Sequence, residues 1–196
     1  DTTDDSEKIS FQEFLFWLKD TKYIKFALAV GSRYVSDVVL FLWPLYLFLL
    51  FGSVDKVGYL YTVALFLSII IVIFLTVKID KIKSRKLFMF SGGALSVFWL
   101  MRTSIVSVWS IALVDAFDRL VANFHWLFFD MTWYKRGKGG QAHSYFVYSE
   151  LLQHLTMSLT WLVAAFVFLS SSIWTTLFII AALSTILSTL MQNKHV

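Results

Sequence analysis

The chain has 196 residues, of which 58% are hydrophobic, 18% aromatic and only 15% charged, against about 25% charged in ordinary globular domains. This composition excludes a soluble globule, and the absence of cysteine excludes disulfides, thiolate metal sites and cysteine nucleophiles. The net charge of +4 comes from basic residues grouped at the edges of apolar segments, so the expected partner is the lipid bilayer and not nucleic acid.

Residues 1–25 are predicted to form a cytoplasmic linker that contains an amphipathic helix. The first six residues are polar and acidic, which is typical of disorder, and no signal peptide is expected. Ser10 and Glu13 have the spacing of a capping box, and the apolar residues that follow share one helical face, which suits a membrane surface. The residues of this face are Phe11, Phe14, Leu15 and Leu18. A plain linker helix is the alternative.

Six apolar segments follow within residues 26–193. They are Phe26–Phe51, Val57–Val77, Leu87–Met101, Val106–Trp133, Tyr145–Leu169 and Ile173–Met191. Crossing a hydrocarbon core takes about 20 apolar residues. Basic residues cluster on one side of the segments, because the connections on the other side hold only Lys56 and Arg102. The sequence therefore predicts an all-α, multi-pass protein of the plasma (inner) membrane, with six transmembrane helices and both termini in the cytoplasm.

Polar and charged residues are concentrated in the first, fourth and fifth segments. A charge inside a bilayer costs at least ~3 kcal/mol, so such residues usually face a bundle interior or a water-filled cavity. The i, i+4 spacing predicts that Arg33 pairs with Asp37, and Asp115 with Arg119. These pairs either line a substrate cavity or lock helices together. The candidate cavity residues are Arg33, Asp37, Asp115, Asp118, Arg119, Asn123 and His125.

Glu150 and His154 in the fifth segment also have the i, i+4 spacing. A carboxylate beside an imidazole can relay a proton, because histidine titrates near neutral pH. This pair is therefore a candidate for proton coupling, with mutual neutralisation between helices as the alternative.

The loop between the second and third segments resembles the signature of the major facilitator superfamily, Gly-x-x-x-Asp-Arg-x-Gly-Arg-Arg. The residues that match in kind are Asp80, Lys81, Arg85 and Lys86, while Thr76 and Lys83 stand in place of the two glycines. The chain, which begins at Asp1, is similar to the C-terminal six-helix half of such a transporter over residues 26–193. The resemblance implies half of a twelve-helix bundle.

The resemblance also implies a function. The chain would be part of a secondary active transporter that moves a small solute by alternating access, together with an N-terminal six-helix half. The first and fourth helices would line the cavity, and the third and sixth would lie outside. The loop at Asp80, Lys81 and Arg85 would act as a cytoplasmic gating latch, although it also fits a simple topology signal.

Two other classes of function are compatible with six spans. A free-standing protein that forms a homodimer, as a scaffold or assembly factor, is the main alternative. An intramembrane enzyme is disfavoured because the sequence has neither a Gly-x-Ser-x-Gly nor a His-Glu-x-x-His motif. No cofactor and no metal site are expected.

Overall fold

The computed structural model describes residues 21–79, 85–137, 142–168 and 173–191, together with Gln12, Phe14, Leu15 and Lys19. These residues form six long helices and no strand, which confirms the all-α prediction for this part of the chain. The helices are α1 (Thr21–Phe51), α2 (Val54–Ile79), α3 (Arg85–Met101), α4 (Val108–Arg136), α5 (Ala142–Val167) and α6 (Ile173–Ser188).

The helix α1 is the longest of the six and contains the one proline of the chain, Pro44. It ends because Gly52 takes a positive φ of 62° and donates its N–H to the carbonyl of Phe48, 2.8 Å away. Glycine suits this left-handed cap because it has no Cβ to clash with the backbone. The chain then turns directly into α2.

The helices pack in a pattern with an internal symmetry. The helix α1 packs on α5 and α6, α4 packs on α2 and α3, and α3 packs on α6. If α1, α2 and α3 are exchanged for α4, α5 and α6, the contacts of α1 with α5 and α6 become the contacts of α4 with α2 and α3. The contact between α3 and α6 is unchanged by the exchange. Smaller contacts between α1 and α2 and between α5 and α6 complete the bundle, and these two have no counterpart of similar size under the exchange. The larger helix contacts are therefore related by exchange of the first three helices for the last three.

Two apolar clusters fill the interior, one towards each end of the bundle. The first joins the second half of α1 to the start of α6, with Trp43 and Phe178 in edge contact at 5.6 Å between ring centroids. The second joins the start of α1 to α3 and to the end of α4, through Phe26, Phe88 and Phe129. Both ends are thus held by interlocking aromatic and aliphatic side chains.

The exterior of the bundle is rich in apolar side chains. Large hydrophobic side chains are exposed on every helix, among them Phe41, Phe66, Phe90, Trp109, Phe166 and Leu183. By length and composition, two helices of the described chain are able to cross a membrane, Tyr23–Phe51 and His143–Val167, and Ile173–Ser188 is a shorter apolar helix.

The predicted amphipathic helix is described only in part. Gln12, Phe14, Leu15 and Lys19 are helical, and Phe14 is buried with its ring centroid 5.7 Å from that of Tyr148 in α5. Leu15 is exposed, whereas Phe11 and Leu18 lie outside the described residues. The apolar face of this helix therefore contacts the bundle at Phe14.

Candidate functional site

A buried cluster of charges joins α1, α3 and α4 near one end of the bundle. Its centre is Arg102, which follows the last residue of α3 and is 1% exposed. Its Nη2 donates to Asp115 Oδ1 at 2.8 Å and to Asp118 Oδ2 at 3.0 Å. The two carboxylates come from consecutive turns of α4 and are both buried. Together with Trp43 and Trp99 these residues form the Arg102 cluster.

The guanidinium of Arg102 lies between two indole rings. Its central carbon is 4.7 Å from the ring centroid of Trp43 and 4.2 Å from that of Trp99, so both contacts are cation–π interactions. Trp43 also donates its Nε1–H to Asp115 Oδ2 at 2.9 Å. Burial lowers the pKa of Arg102, but Asp118 and Asp115 beside it outweigh burial, so the net shift of this pKa is upward. The guanidinium therefore stays charged.

The hydrogen bonding of the cluster is uneven. Both oxygens of Asp115 accept hydrogen bonds, one from Arg102 and one from Trp43. Asp118 Oδ1, Arg102 Nε and Arg102 Nη1 are buried and have no partner among the described residues. Two donors and one acceptor are thus left open inside the bundle.

Replacing Trp43 by phenylalanine tests the indole hydrogen bond separately from the ring contact. We expect Trp43→Phe to lower the free energy of unfolding by about 2 kcal/mol, because a hydrogen bond to a charged group is lost while an aromatic face remains. The measurement is thermal unfolding in detergent. Trp99→Phe is the matched control, since Trp99 contacts the same guanidinium with no hydrogen bond to Asp115. An equal loss of stability in both variants would contradict the prediction.

A second cluster joins α1 to α4 at the opposite end. Arg33 of α1 forms an ion pair with Asp130 of α4, and its Nε is 3.9 Å from Asp37 Oδ2. The guanidinium also lies 5.2 Å from the ring centroid of Trp126 and 5.4 Å from that of Phe129. These five residues form the Arg33 cluster. The side chains of Arg33, Asp37 and Asp130 are 23%, 41% and 35% exposed, so this cluster opens to the outside of the chain.

His125 connects three helices. It is 0% exposed, with Nδ1 2.9 Å from Ser91 Oγ in α3 and Nε2 2.7 Å from Ser188 Oγ in α6. Its ring stacks on Phe88 at 4.5 Å between centroids. His125 therefore packs at the α3–α4–α6 junction, and its role in a substrate cavity stays a prediction.

The remaining residues predicted to line the cavity have different partners and different exposure. The i, i+4 pairing of Asp115 with Arg119 is absent from the described ion pairs, because Asp115 binds Arg102 instead. Arg119 is half-buried and lies 5.1 Å from the ring centroid of Tyr61. Asn123 is exposed on α4. The Arg33–Asp37 contact is present, but the closer partner of Arg33 is Asp130.

The predicted coupling pair and loop motif are less fully defined. Glu150 and His154 are both exposed, and among the ion pairs of the described residues none joins them. Arg85 and Lys86 are exposed at the start of α3, while Asp80 and Lys81 lie outside the described residues. The gating role of the loop therefore stays a prediction.

Sequence reasoning missed Arg102, which was counted only as a basic residue in a connection. A signal was available: α4 carries Asp115 and Asp118 close together, and one neighbouring arginine cannot neutralise both. Arg102 is the nearest basic residue that precedes them along the chain.

In the described part of the chain, no group of three or more histidine, aspartate or glutamate side chains is placed to hold a metal ion. Comparison with known proteins adds no further constraint. No family matches the chain, and neither a curated protein nor a solved structure matches it significantly.

Proposed function

We propose that the chain is a six-span integral membrane domain that works as one six-helix half of a secondary transporter for a small solute. The assignment follows the resemblance of residues 80–86 to the major facilitator superfamily. Three features of the structure support it: the polarity of the bundle, the symmetry of its packing, and the position of its exposed polar groups.

The outside of the bundle carries far more apolar surface than that of a soluble protein, where exposed apolar patches are small. Phenylalanine, leucine and tryptophan cover the outside, while Arg102, Asp115, Asp118 and many hydroxyl side chains are inside. The buried hydroxyls donate to carbonyls of their own helices, as Ser91 does to Phe88 at 2.8 Å and Ser188 to Thr185 at 2.7 Å. Such internal satisfaction is required where lipid offers no hydrogen bonds.

The packing symmetry is the observation that carries the transporter assignment. Major facilitator transporters contain three-helix inverted repeats within each six-helix half. The larger contacts of α1 and α3 have counterparts at α4 and α6 under exchange of the first three helices for the last three, as expected of such a repeat, and the smaller contacts do not follow the exchange. A helical scaffold has no need of this exchange, so the symmetry favours the transporter over the homodimer.

The exposed polar groups mark the side that would meet the second half. Tyr34 in α1 lies within electrostatic range of Arg33, Asp37, Asp130 and Glu150. These groups are on three different helices and are at least partly exposed. Because charges facing lipid are costly, this side of the bundle is expected to border a water-filled cavity.

Membrane topology gives the first test of the proposal. The chain has no cysteine, so one cysteine introduced at an exposed position reports which side of the membrane it is on. Lys56→Cys and Ser104→Cys should react with an impermeant maleimide added to intact cells. Lys135→Cys should react only after the cells are permeabilised. Equal labelling of all three positions in intact cells would rule out the six-span arrangement.

Uptake into vesicles gives the second test. Arg119 has no carboxylate partner among the described ion pairs and lies half-exposed beside Tyr61, which leaves it available to a solute. In the intact gene product, Arg119→Gln should abolish uptake of whichever labelled sugar, amino acid or organic ion is transported, with membrane insertion unchanged. Lys135→Gln is the control, because Lys135 is exposed at the end of α4. Unchanged uptake in Arg119→Gln would remove this residue from the solute site. Absence of uptake for the whole panel would favour the scaffold.

A further inference from the structure

The Arg102 cluster contains more acidic groups than basic groups. Two carboxylates, Asp115 and Asp118, share one nitrogen of a single guanidinium, and all three side chains are buried. With both carboxylates ionised, the cluster would hold one net negative charge away from water, and an uncompensated buried charge is strongly unfavourable. We propose that the Arg102 cluster is a proton-binding site in which Asp118 carries the proton.

The charged and titratable groups around the cluster support this net charge of minus one. The helix α1 contributes the indole of Trp43, and the end of α3 contributes Arg102 and Trp99. The helix α2 contributes Tyr61, and α4 contributes Arg119 beside it. Arg119 lies within electrostatic range of Asp118, but within the described chain it makes no ion pair with either carboxylate and is only partly buried. Arg102 is therefore the one cation in contact with the two acids in this part of the chain.

The two carboxylates differ in a way that places the proton. Asp115 accepts a hydrogen bond on each oxygen, and such bonds favour the ionised form. Asp118 has one bonded oxygen, and its buried Oδ1 has no partner among the described residues. When two acids share a site, the better-solvated one stays ionised and the other holds the proton. The proton is accordingly on Asp118 Oδ1.

A proton fits this site better than a metal cation. Hard cations need several oxygen ligands at once, but Asp118 Oδ1 is the one open acceptor in the cluster. The neighbouring open groups, Nε and Nη1 of Arg102, are donors and would repel a metal ion. The site is a property of the folded bundle, so it goes beyond the proposed transport and does not depend on it.

Infrared difference spectroscopy on the intact gene product in detergent tests the proposal directly. At neutral pH we expect the carbonyl stretch of a protonated carboxyl group, which is lost in Asp118→Asn and retained in Asp37→Asn. The band should not change when sodium replaces choline at constant ionic strength. A wild-type spectrum without this band, a band that persists in Asp118→Asn, or a band removed by sodium would each overturn the proposal.

Thermal unfolding gives a second measurement with the same variants. The folded state binds one proton more than the unfolded chain, so wild-type stability should fall as the pH rises. Asp118→Asn keeps the neutral form, and we expect its melting temperature at neutral pH to match that of the wild type and to lose this part of the pH dependence. Asp115→Asn should melt about 5 °C lower. If Asp118→Asn melts as low as Asp115→Asn, then Asp118 is ionised and the proposal fails.

Discussion

Replacing Arg102 by methionine should remove a large part of the stability of the six-helix domain. The substitution keeps an unbranched side chain between Trp43 and Trp99 but leaves the ionised Asp115 buried without a counter-charge. Breaking a buried pair by removing one partner costs about 3–5 kcal/mol, and whole domains are stable by only about 5–15 kcal/mol. The expected result is a large loss of monodisperse protein on size-exclusion chromatography, together with a lower melting temperature.

Two further variants separate charge from packing at this position. Arg119→Met removes an arginine from the same end of α4 that has a cation–π contact with Tyr61 and no carboxylate partner among the described ion pairs, so it should cost about 1 kcal/mol. Combining Arg102→Met with Asp115→Asn and Asp118→Asn removes the buried negative charge and should recover folded protein. If Arg102→Met behaves like Arg119→Met, the buried ion pairs do not hold α3 against α4.

Adding one methyl group at Gly92 should loosen the contact between α3 and α6. A Cβ at this position would clash with Thr189 Cγ2 and would lie 3.0 Å from the carbonyl oxygen of Thr185 and 3.1 Å from His125 Cε1. A backbone oxygen cannot rotate away, and the His125 ring is held by two serines, so the helices must separate. We expect Gly92→Ala to lower the free energy of unfolding by about 1–3 kcal/mol, the usual cost of overpacking.

Gly93 is the matched control for this prediction. It is the next residue in the same helix, and a Cβ there meets nothing within 4 Å. Alanine is the better helix former by about 1 kcal/mol, so Gly93→Ala should leave stability unchanged or raise it. The comparison is made by thermal unfolding of both variants in the same detergent. A Gly92→Ala variant that is as stable as Gly93→Ala would show that α3 and α6 tolerate a wider spacing.

The fold was more predictable from the sequence than the site. Runs of apolar residues fix where helices can form, because their length and composition are local properties, and all six helices lie where these runs predict. The partners of the charged residues are not local. The i, i+4 rule predicts a pair between Asp115 and Arg119 because both are on one helix face. The rule takes no account of a third residue that tertiary packing brings close. Arg102 reaches Asp115 only because α3 and α4 pack together.

The Arg33 cluster also shows that the sequence predicts contacts within one helix but not contacts between helices. The sequence correctly indicated a contact between Arg33 and Asp37, which depends only on helix geometry. It could not show that Asp130, almost a hundred residues away along the chain, is the closer partner. Likewise, a histidine in an apolar segment suggests a functional group, because the sequence does not show what surrounds it. In the structure His125 contacts two serines and a phenylalanine.

An odd number of helices in each exchanged set has an evolutionary consequence. If the six spans proposed above arose by duplication of a three-helix ancestor, the second copy would have entered the membrane upside down, so its charged loops would have changed while its packing surfaces stayed the same. The charges of the connections in the sequence differ in this way. The connection after α2 holds Lys81 and Lys83 and is followed by Arg85 and Lys86, whereas the corresponding connection after α5 has no basic residue. The connection after α4 is basic, and its counterpart after α1 is nearly free of basic residues. Loop charge thus differs between the first three helices and the last three, whereas the larger helix contacts are related by their exchange.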